Sequence, residues 1–132
     1  MPSPRARSSR QSGTALSSCP IRPRRKPPAW AGQWLHYHRT FTPPAGEGGR
    51  VLLHFGAVDY ACAVEVNGRL AGGHRGGYWP FTLDITDLLR PQGRNTLWVA
   101  VQDPTGTGTQ ARGKQTLRPG GMFYPAQSGI WQ

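Results

Sequence analysis

Residues 61–74 read Ala-Cys-Ala-Val-Glu-Val-Asn-Gly-Arg-Leu-Ala-Gly-Gly-His, and this stretch decides the fold. Its first six residues are small or β-branched apart from Glu65, and suit a half-buried strand. Asn67-Gly68 follows, a dipeptide that accepts the two positive φ angles of a type I′ turn. Arg69 to His74 then makes a short return strand. The unit is a β-hairpin.

The same period-two pattern recurs on both sides of that hairpin. In Trp34 to Thr42, Leu35, Tyr37, Arg39 and Phe41 alternate with Trp34, His36, His38 and Thr40, which predicts a strand. Pro43-Pro44 ends it and residues 45–49 form a turn. Arg50 to Phe55 places Val51, Leu53 and Phe55 on one face. Downstream, Tyr78 to Ile85 carries Phe81, Leu83 and Ile85 together, and Thr86 to Arg90 makes one helical turn that Pro91 stops. Asn95 to Gln102 directs Leu97, Val99 and Val101 inward and Trp98 outward. A loop spanning about residues 103–127 follows, nearly free of aliphatic periodicity. Ile130-Trp131 starts a last apolar run that is expected to be lost where the chain stops at Gln132. Six or seven short strands with one apolar face each, and no convincing helix, predict an all-β fold. Its expected form is an antiparallel β-sandwich, two sheets stacked face to face.

Composition bounds what such a chain does. Gly and Pro supply 31 of the 132 residues (18 and 13), so turns are frequent. The net charge of +10 invites a nucleic-acid reading, yet seven of the sixteen basic residues lie in residues 1–26, where no acid occurs. From residue 27 onward, nine basic residues face six acidic ones, a balance of +3. Residues 1–29, rich in Arg, Ser and Pro, bury too little to offset their ordering entropy and are expected to be a disordered basic tail. Such a tail touches nucleic acid or anionic lipid by charge alone, and lacks interleaved aromatics for stacking on bases.

Cys19 and Cys62 are too few for a disulfide framework, and Cys62 reads as a small core hydrophobe. No run approaches the ~18 apolar residues of a membrane span. Leu16-Ser17-Ser18-Cys19 has the shape of a lipoprotein cleavage site without the apolar stretch that must precede it. An acid-free, Arg- and Ser-rich start also weakly resembles an organelle transit peptide. A cytoplasmic setting is the expectation, with no cofactor. His36 and His38 share a strand face, but a closed metal site needs three or four ligands, and exposed polar surface is the expected reading. Trp79 and Trp98 fall opposite their strands' core faces, as exposed stacking platforms for a ligand or as interface buried against another domain, the latter being the expected use.

Several blocks together resemble the sugar-binding domain of family 2 glycoside hydrolases, a group of β-galactosidases, β-glucuronidases and β-mannosidases. They are Gly56-Ala57-Val58-Asp59-Tyr60, Val64-Glu65-Val66-Asn67-Gly68, His74 to Phe81 with Asp84-Ile85-Thr86, the Pro91 to Leu97 turn, Arg112-Gly113-Lys114-Gln115, and Ser128 to Gln132. The resemblance runs in order over residues 34–132. It implies a jelly-roll, galactose-binding-like domain over residues 30–132, truncated at its last strand. Residues 1–29 do not resemble the family's own amino end, as a shifted reading frame or misplaced start would produce.

The implied partners are a β-glycoside carbohydrate and the immunoglobulin-like and (α/β)₈ barrel domains of a full enzyme, whose barrel carries two catalytic glutamates. A retaining glycosidase needs two carboxylates about 5 Å apart. Glu47 and Glu65 offer no such pair, so catalytic residues are expected to be absent from this chain. The long loop is implied to reach toward the barrel's mouth. Asp103, Gln110, Arg112, Lys114, Gln115 and Tyr124 are its candidate substrate-binding residues, set against a plain interdomain or solvated loop. Gly76-Gly77 is read as structural, aiming Tyr78 and Phe81 into the sandwich. The other readings are a stand-alone carbohydrate-binding module and a nucleic-acid binder acting through the tail. An unpaired last-strand edge and bare docking faces predict poor solubility or partial unfolding of the isolated chain.

Overall fold

The computed structural model describes residues 34–43 and 49–132. The basic tail with Cys19, and most of the turn after Pro43 with Glu47, lie outside the described residues. Ten strands follow one another: β1 (Trp34–Phe41), β2 (Leu52–Phe55), β3 (Ala57–Asp59), β4 (Ala61–Val66), β5 (Arg69–Arg75), β6 (Phe81–Asp84), β7 (Asn95–Gln102), β8 (Gln115–Thr116), β9 (Tyr124–Pro125) and β10 (Gly129–Trp131). A 3-10 turn, Thr86–Leu88, is the only helical element among the described residues.

β1, β7, β4 and β5 form one four-stranded antiparallel sheet in that order. The opposing layer consists of two antiparallel ladders, β2 with β6 and β3 with β10. The periodicity explains the packing. Cys62, Val64 and Val66 on β4, and Leu97, Val99 and Val101 on β7, all face inward. There they meet Phe55, Val58 and Ile85 from the other layer in one buried cluster. Each inward residue is followed by an outward one, so a slip of one position would expose the whole set. Leu35, Tyr37, Phe41, Val51 and Leu53 complete the cluster at its margins, on the faces that the sequence assigned to them.

The hairpin turn forms as expected, with φ of 53° at Asn67 and 76° at Gly68. The Asn67 side chain also does something that hairpin chemistry alone did not anticipate. Its Nδ2 donates to the Leu88 carbonyl at 2.8 Å and to Asn95 Oδ1 at 2.7 Å, while its Oδ1 accepts from the Thr96 amide at 3.0 Å. Asn95 is fully buried. It accepts from the Arg90 amide at 2.8 Å and donates back to the Arg90 carbonyl at 3.3 Å. The two amides thus tie the hairpin, the 3-10 turn and the start of β7 into one knot. A buried amide left unpaired would cost about 1–3 kcal/mol, which is why a polar pair survives there.

Three segments differ from the sequence expectation. Ala57–Asp59 forms β3, too short and unalternating to show as a strand. The closing residues are not lost to the fold: β10 pairs with β3, and the Gly56 amide donates to the Gln132 carbonyl at 2.9 Å. Gly129 makes this closure possible, because a β-carbon there would occupy the position of the Tyr37 hydroxyl. That hydroxyl accepts a hydrogen bond from the Ile130 backbone. Burial pushes its pKa up, and the Ile130 bond pulls the other way. Finally, Phe81 turns inward but Tyr78 does not. Phe81 stacks between Phe55, at a centroid distance of 4.7 Å, and His74 at 4.3 Å. Tyr78 remains 56% exposed, because Gly77 lies hard against the Asp59 carboxylate and its backbone leads Tyr78 outward along the surface.

Candidate functional site

The segment from Asp103 to Gln127 carries all six candidate residues, and the structure divides them into supports and surface groups. Asp103 is buried, at 7% exposure. Its Oδ1 accepts from the Thr105 amide at 2.7 Å and its Oδ2 from the Thr105 hydroxyl at 2.9 Å. The Ser128 hydroxyl donates to the same Oδ2 in a short hydrogen bond. A carboxylate so engaged fixes both ends of the loop to each other, Thr105 at its start and Ser128 at its close. Gln110 is half-buried and donates through Nε2 to the Thr105 carbonyl at 2.8 Å. Both residues hold the loop's base in place.

Arg112, Lys114 and Tyr124 are exposed, and Gln115 is half-buried beside them. They are brought together by β8 and β9, a two-residue parallel pair in an otherwise antiparallel molecule, in which Gln115 faces Tyr124. The Tyr124 amide donates to the Lys114 carbonyl at 3.0 Å and the Gln115 amide to the Arg112 carbonyl at 3.1 Å. Gln115 Oε1 accepts from the Gln127 amide at 2.5 Å. The result is a small platform that presents the Tyr124 ring, 63% exposed, with exposed Lys114 one residue before its partner Gln115, while the Arg112 guanidinium lies against Gly106.

Tyr78 joins it from the other side. Its hydroxyl lies 3.7 Å from where a β-carbon on Gly113 would stand. The sequence reading placed Tyr78 in the core and so missed it here; its position beside Gly76-Gly77, on a loop, was the available signal. Met122 and Phe123 are also exposed on this loop, and Trp79 and Trp131 nearby in sequence to its neighbours. Such an arrangement suits a ligand with one apolar face and a fringe of hydroxyl or carboxylate groups.

Of the carboxylates elsewhere, Asp84 is committed to the fold. Asp84 Oδ1 accepts from the Thr86 hydroxyl at 2.5 Å and amide at 3.0 Å, and its Oδ2 from Arg50 Nε at 2.8 Å and Nη2 at 2.5 Å. Thr86 first, then Arg50, hold its pKa down at about 2. Glu65 lies exposed on the outer face of β4. The Cys62 thiol is buried, and burial pushes its pKa up against a weaker pull from the His74 backbone. No group of three or more His, Cys, Asp or Glu side chains is gathered for a metal among the described residues. No described helix is long and apolar enough to cross a membrane.

The fold is a largely antiparallel β-sandwich of the galactose-binding-like class. Residues 26–130 match the family described as glycosyl hydrolase 2 galactose-binding domain-like, and the chain belongs to that family. A β-glucuronidase from Paenibacillus borealis is 33% identical over 85 residues, 64% of this chain and 13% of the relative. A β-galactosidase from Thermoanaerobacter pseudethanolicus is 43% identical over 44 residues, 33% of this chain and 6% of the relative. Among solved structures, the β-glucuronidase of Lactobacillus rhamnosus superposes with a TM-score of 0.53 at 32% identity, covering 56% of this chain and 12% of its own. The chain therefore spans only a small part of the length of the curated relatives that it matches.

Proposed function

We propose that this chain is the non-catalytic, carbohydrate-side accessory domain of a family 2 glycoside hydrolase that hydrolyses terminal β-glycosides. Family membership over residues 26–130 carries the reading, with the small share of each relative that the chain covers. The catalytic carboxylate pair belongs to a barrel domain elsewhere in such an enzyme, and an immunoglobulin-like domain lies beside it. The carboxylates of this domain support that division of labour. Asp103 is engaged by Thr105 and Ser128, and Asp84, held ionised by Thr86 and Arg50, has no proton to donate near neutral pH.

In this reading the surface end of the loop borders the sugar pocket. Tyr124 offers a ring to a sugar's C–H face. Arg112 and Lys114 offer donors to its hydroxyls or carboxylate, and Gln115 sets the spacing between them. Asp103 and Gln110 act as positioning residues. The domain boundaries follow the same reading, with the sandwich beginning near residue 30.

A chimera tests it. Residues 34–131 replace the corresponding domain of the L. rhamnosus β-glucuronidase, and hydrolysis of an aryl β-glucuronide is followed. A folded chimera should turn over, and Tyr124→Ala should raise KM several-fold while kcat moves little, the signature of lost uniform binding. A folded chimera without activity, or one indifferent to Tyr124→Ala and Lys114→Ala together, overturns the reading. Aryl β-glycoside turnover by the purified 132-residue chain alone would equally overturn it.

A further inference from the structure

The outer face of the four-stranded sheet is built in three rows that cross all its strands. Trp34, Gln102, Ala61 and Arg75 stand opposite one another in the first row. His36, Ala100, Ala63 and Gly73 make the second. His38, Trp98, Glu65 and Leu70 make the third, after a register shift beyond Val64. The middle row has almost no side chain beyond β-carbons except at His36. Its neighbours rise on either side, with Trp34 52% and Trp98 44% exposed and the Trp98 ring lying against His38 at 4.3 Å. Side chains on alternate positions of a strand are about 6.8 Å apart, so the two rims stand about 14 Å apart. The first row and the floor border an open cleft of about 400 Å³, lined by Trp34, Gln102, Arg75 and the Ala61–Ala63 and Gly73–His74 segments.

Neither the fold's core nor the loop platform uses this cleft. Its chemistry is specific. Trp34 offers a flat apolar ring at one end of a row, Arg75 a guanidinium at the other, and Gln102 an amide between them. Arg75 is the one charged side chain lining the cleft among the described residues, and no carboxylate lines it. A floor of alanine and glycine gives a protein partner no large side chains to interlock with, and protein interface cores are depleted of charge. A pyranose ring, by contrast, needs a shallow flat seat, an aromatic face and hydrogen-bonding groups at the rim. A guanidinium additionally pairs with a planar carboxylate through two parallel N–H bonds.

We infer that this face is a second carbohydrate-binding surface, separate from the loop platform, for a β-linked oligosaccharide bearing uronic acid residues. One sugar ring stacks on Trp34, and the carboxylate of the next residue along the first row meets Arg75, three strand spacings or about 14 Å away, with the Ala100–Ala63–Gly73 floor beneath the chain. The inference does not depend on the loop's role or on any catalytic partner.

The test titrates the full chain with hexamannuronate and with mannohexaose, two β-linked chains that differ in having a carboxylate or a hydroxymethyl group. Backbone amide shifts report both folding and the place of binding. The expected result is shifts at Ala63, Gly73 and Gln102 with hexamannuronate binding about ten-fold or more tighter than mannohexaose, the scale of one good charged contact. Arg75→Gln should erase that preference and Trp34→Ala should weaken both ligands, while Arg94→Gln, an exposed cation outside both surfaces, changes neither. A dispersed spectrum with no hexamannuronate shifts on these rows overturns the inference. So do shifts confined to residues 1–29, a preference that survives Arg75→Gln, or shifts at this face that follow protein concentration instead of ligand. Ala63→Phe, which fills the floor without touching the core, checks that loss in the other variants is not misfolding. Full binding in that variant would also overturn the inference.

Discussion

The β4–β5 hairpin with β7 and the loop from residue 103 to 127 are held together by different means. The first is secured by long backbone ladders, broken once by the register shift after Val64, by fully buried Val64, Val66, Val99 and Val101, and by an amide knot at Asn67 and Asn95. The second has one two-residue ladder and side-chain pins, chief among them Asp103, Gln110 and Gln115. A frame built on burial resists change at any one polar group, whereas a loop built on polar pins opens when one is removed.

The comparison breaks most visibly in the core. Ile85→Ala removes a fully buried side chain from the cluster and should cost about 2–5 kcal/mol in urea unfolding. A smaller loss would mean that the two layers are less tightly joined than the buried cluster implies. Asn95→Ala should come next, at about 1–3 kcal/mol, since it strands the Arg90 amide and leaves Asn67 Nδ2 with the Leu88 carbonyl alone. Equal stability in that variant would remove the knot from the frame. Asp103→Ala separates the two regions. It should speed amide exchange of residues 104–128 by about ten-fold or more while leaving exchange in β4 and β7 nearly unchanged.

A pH series gives the smallest effect. The Asp84 carboxylate has a folded pKa of about 2, below its ordinary value of 3.8. Its contribution is therefore fully present above about pH 4 and is lost as pH falls through about 2. Asp84→Asn should flatten the fall in stability between those values. An unchanged slope would assign it to other carboxylates.

The frame was legible because burial writes itself as period two. Leu97, Val99 and Val101 alternate with polar or exposed positions over a full strand, and Asn67-Gly68 marks its own turn. β3 and β10 were not legible, because three residues hold too few alternations, and their pairing depends on Gly129 making room for Tyr37. The platform was half legible. Resemblance pointed to Asp103, Gln110, Arg112, Lys114, Gln115 and Tyr124, but no local pattern distinguishes a buried carboxylate from an exposed one. Asp103 goes inward because Thr105 and Ser128 meet it from two directions, which only the folded chain brings about. Tyr78 reads as core from its neighbours Gly76-Gly77 and Phe81, yet the crowding of Gly77 by Asp59 turns it out.

Asn67-Gly68 is also the sequence most prone to lose ammonia, by attack of the Gly68 amide nitrogen on the Asn67 side-chain carbon to give a succinimide. In the folded chain that side chain is held by Leu88, Asn95 and Thr96 and is not free to swing toward its own backbone. Unfolding releases it. Deamidation at this one residue would then act as a chemical timer, registering in each molecule's mass how long its hairpin has been open.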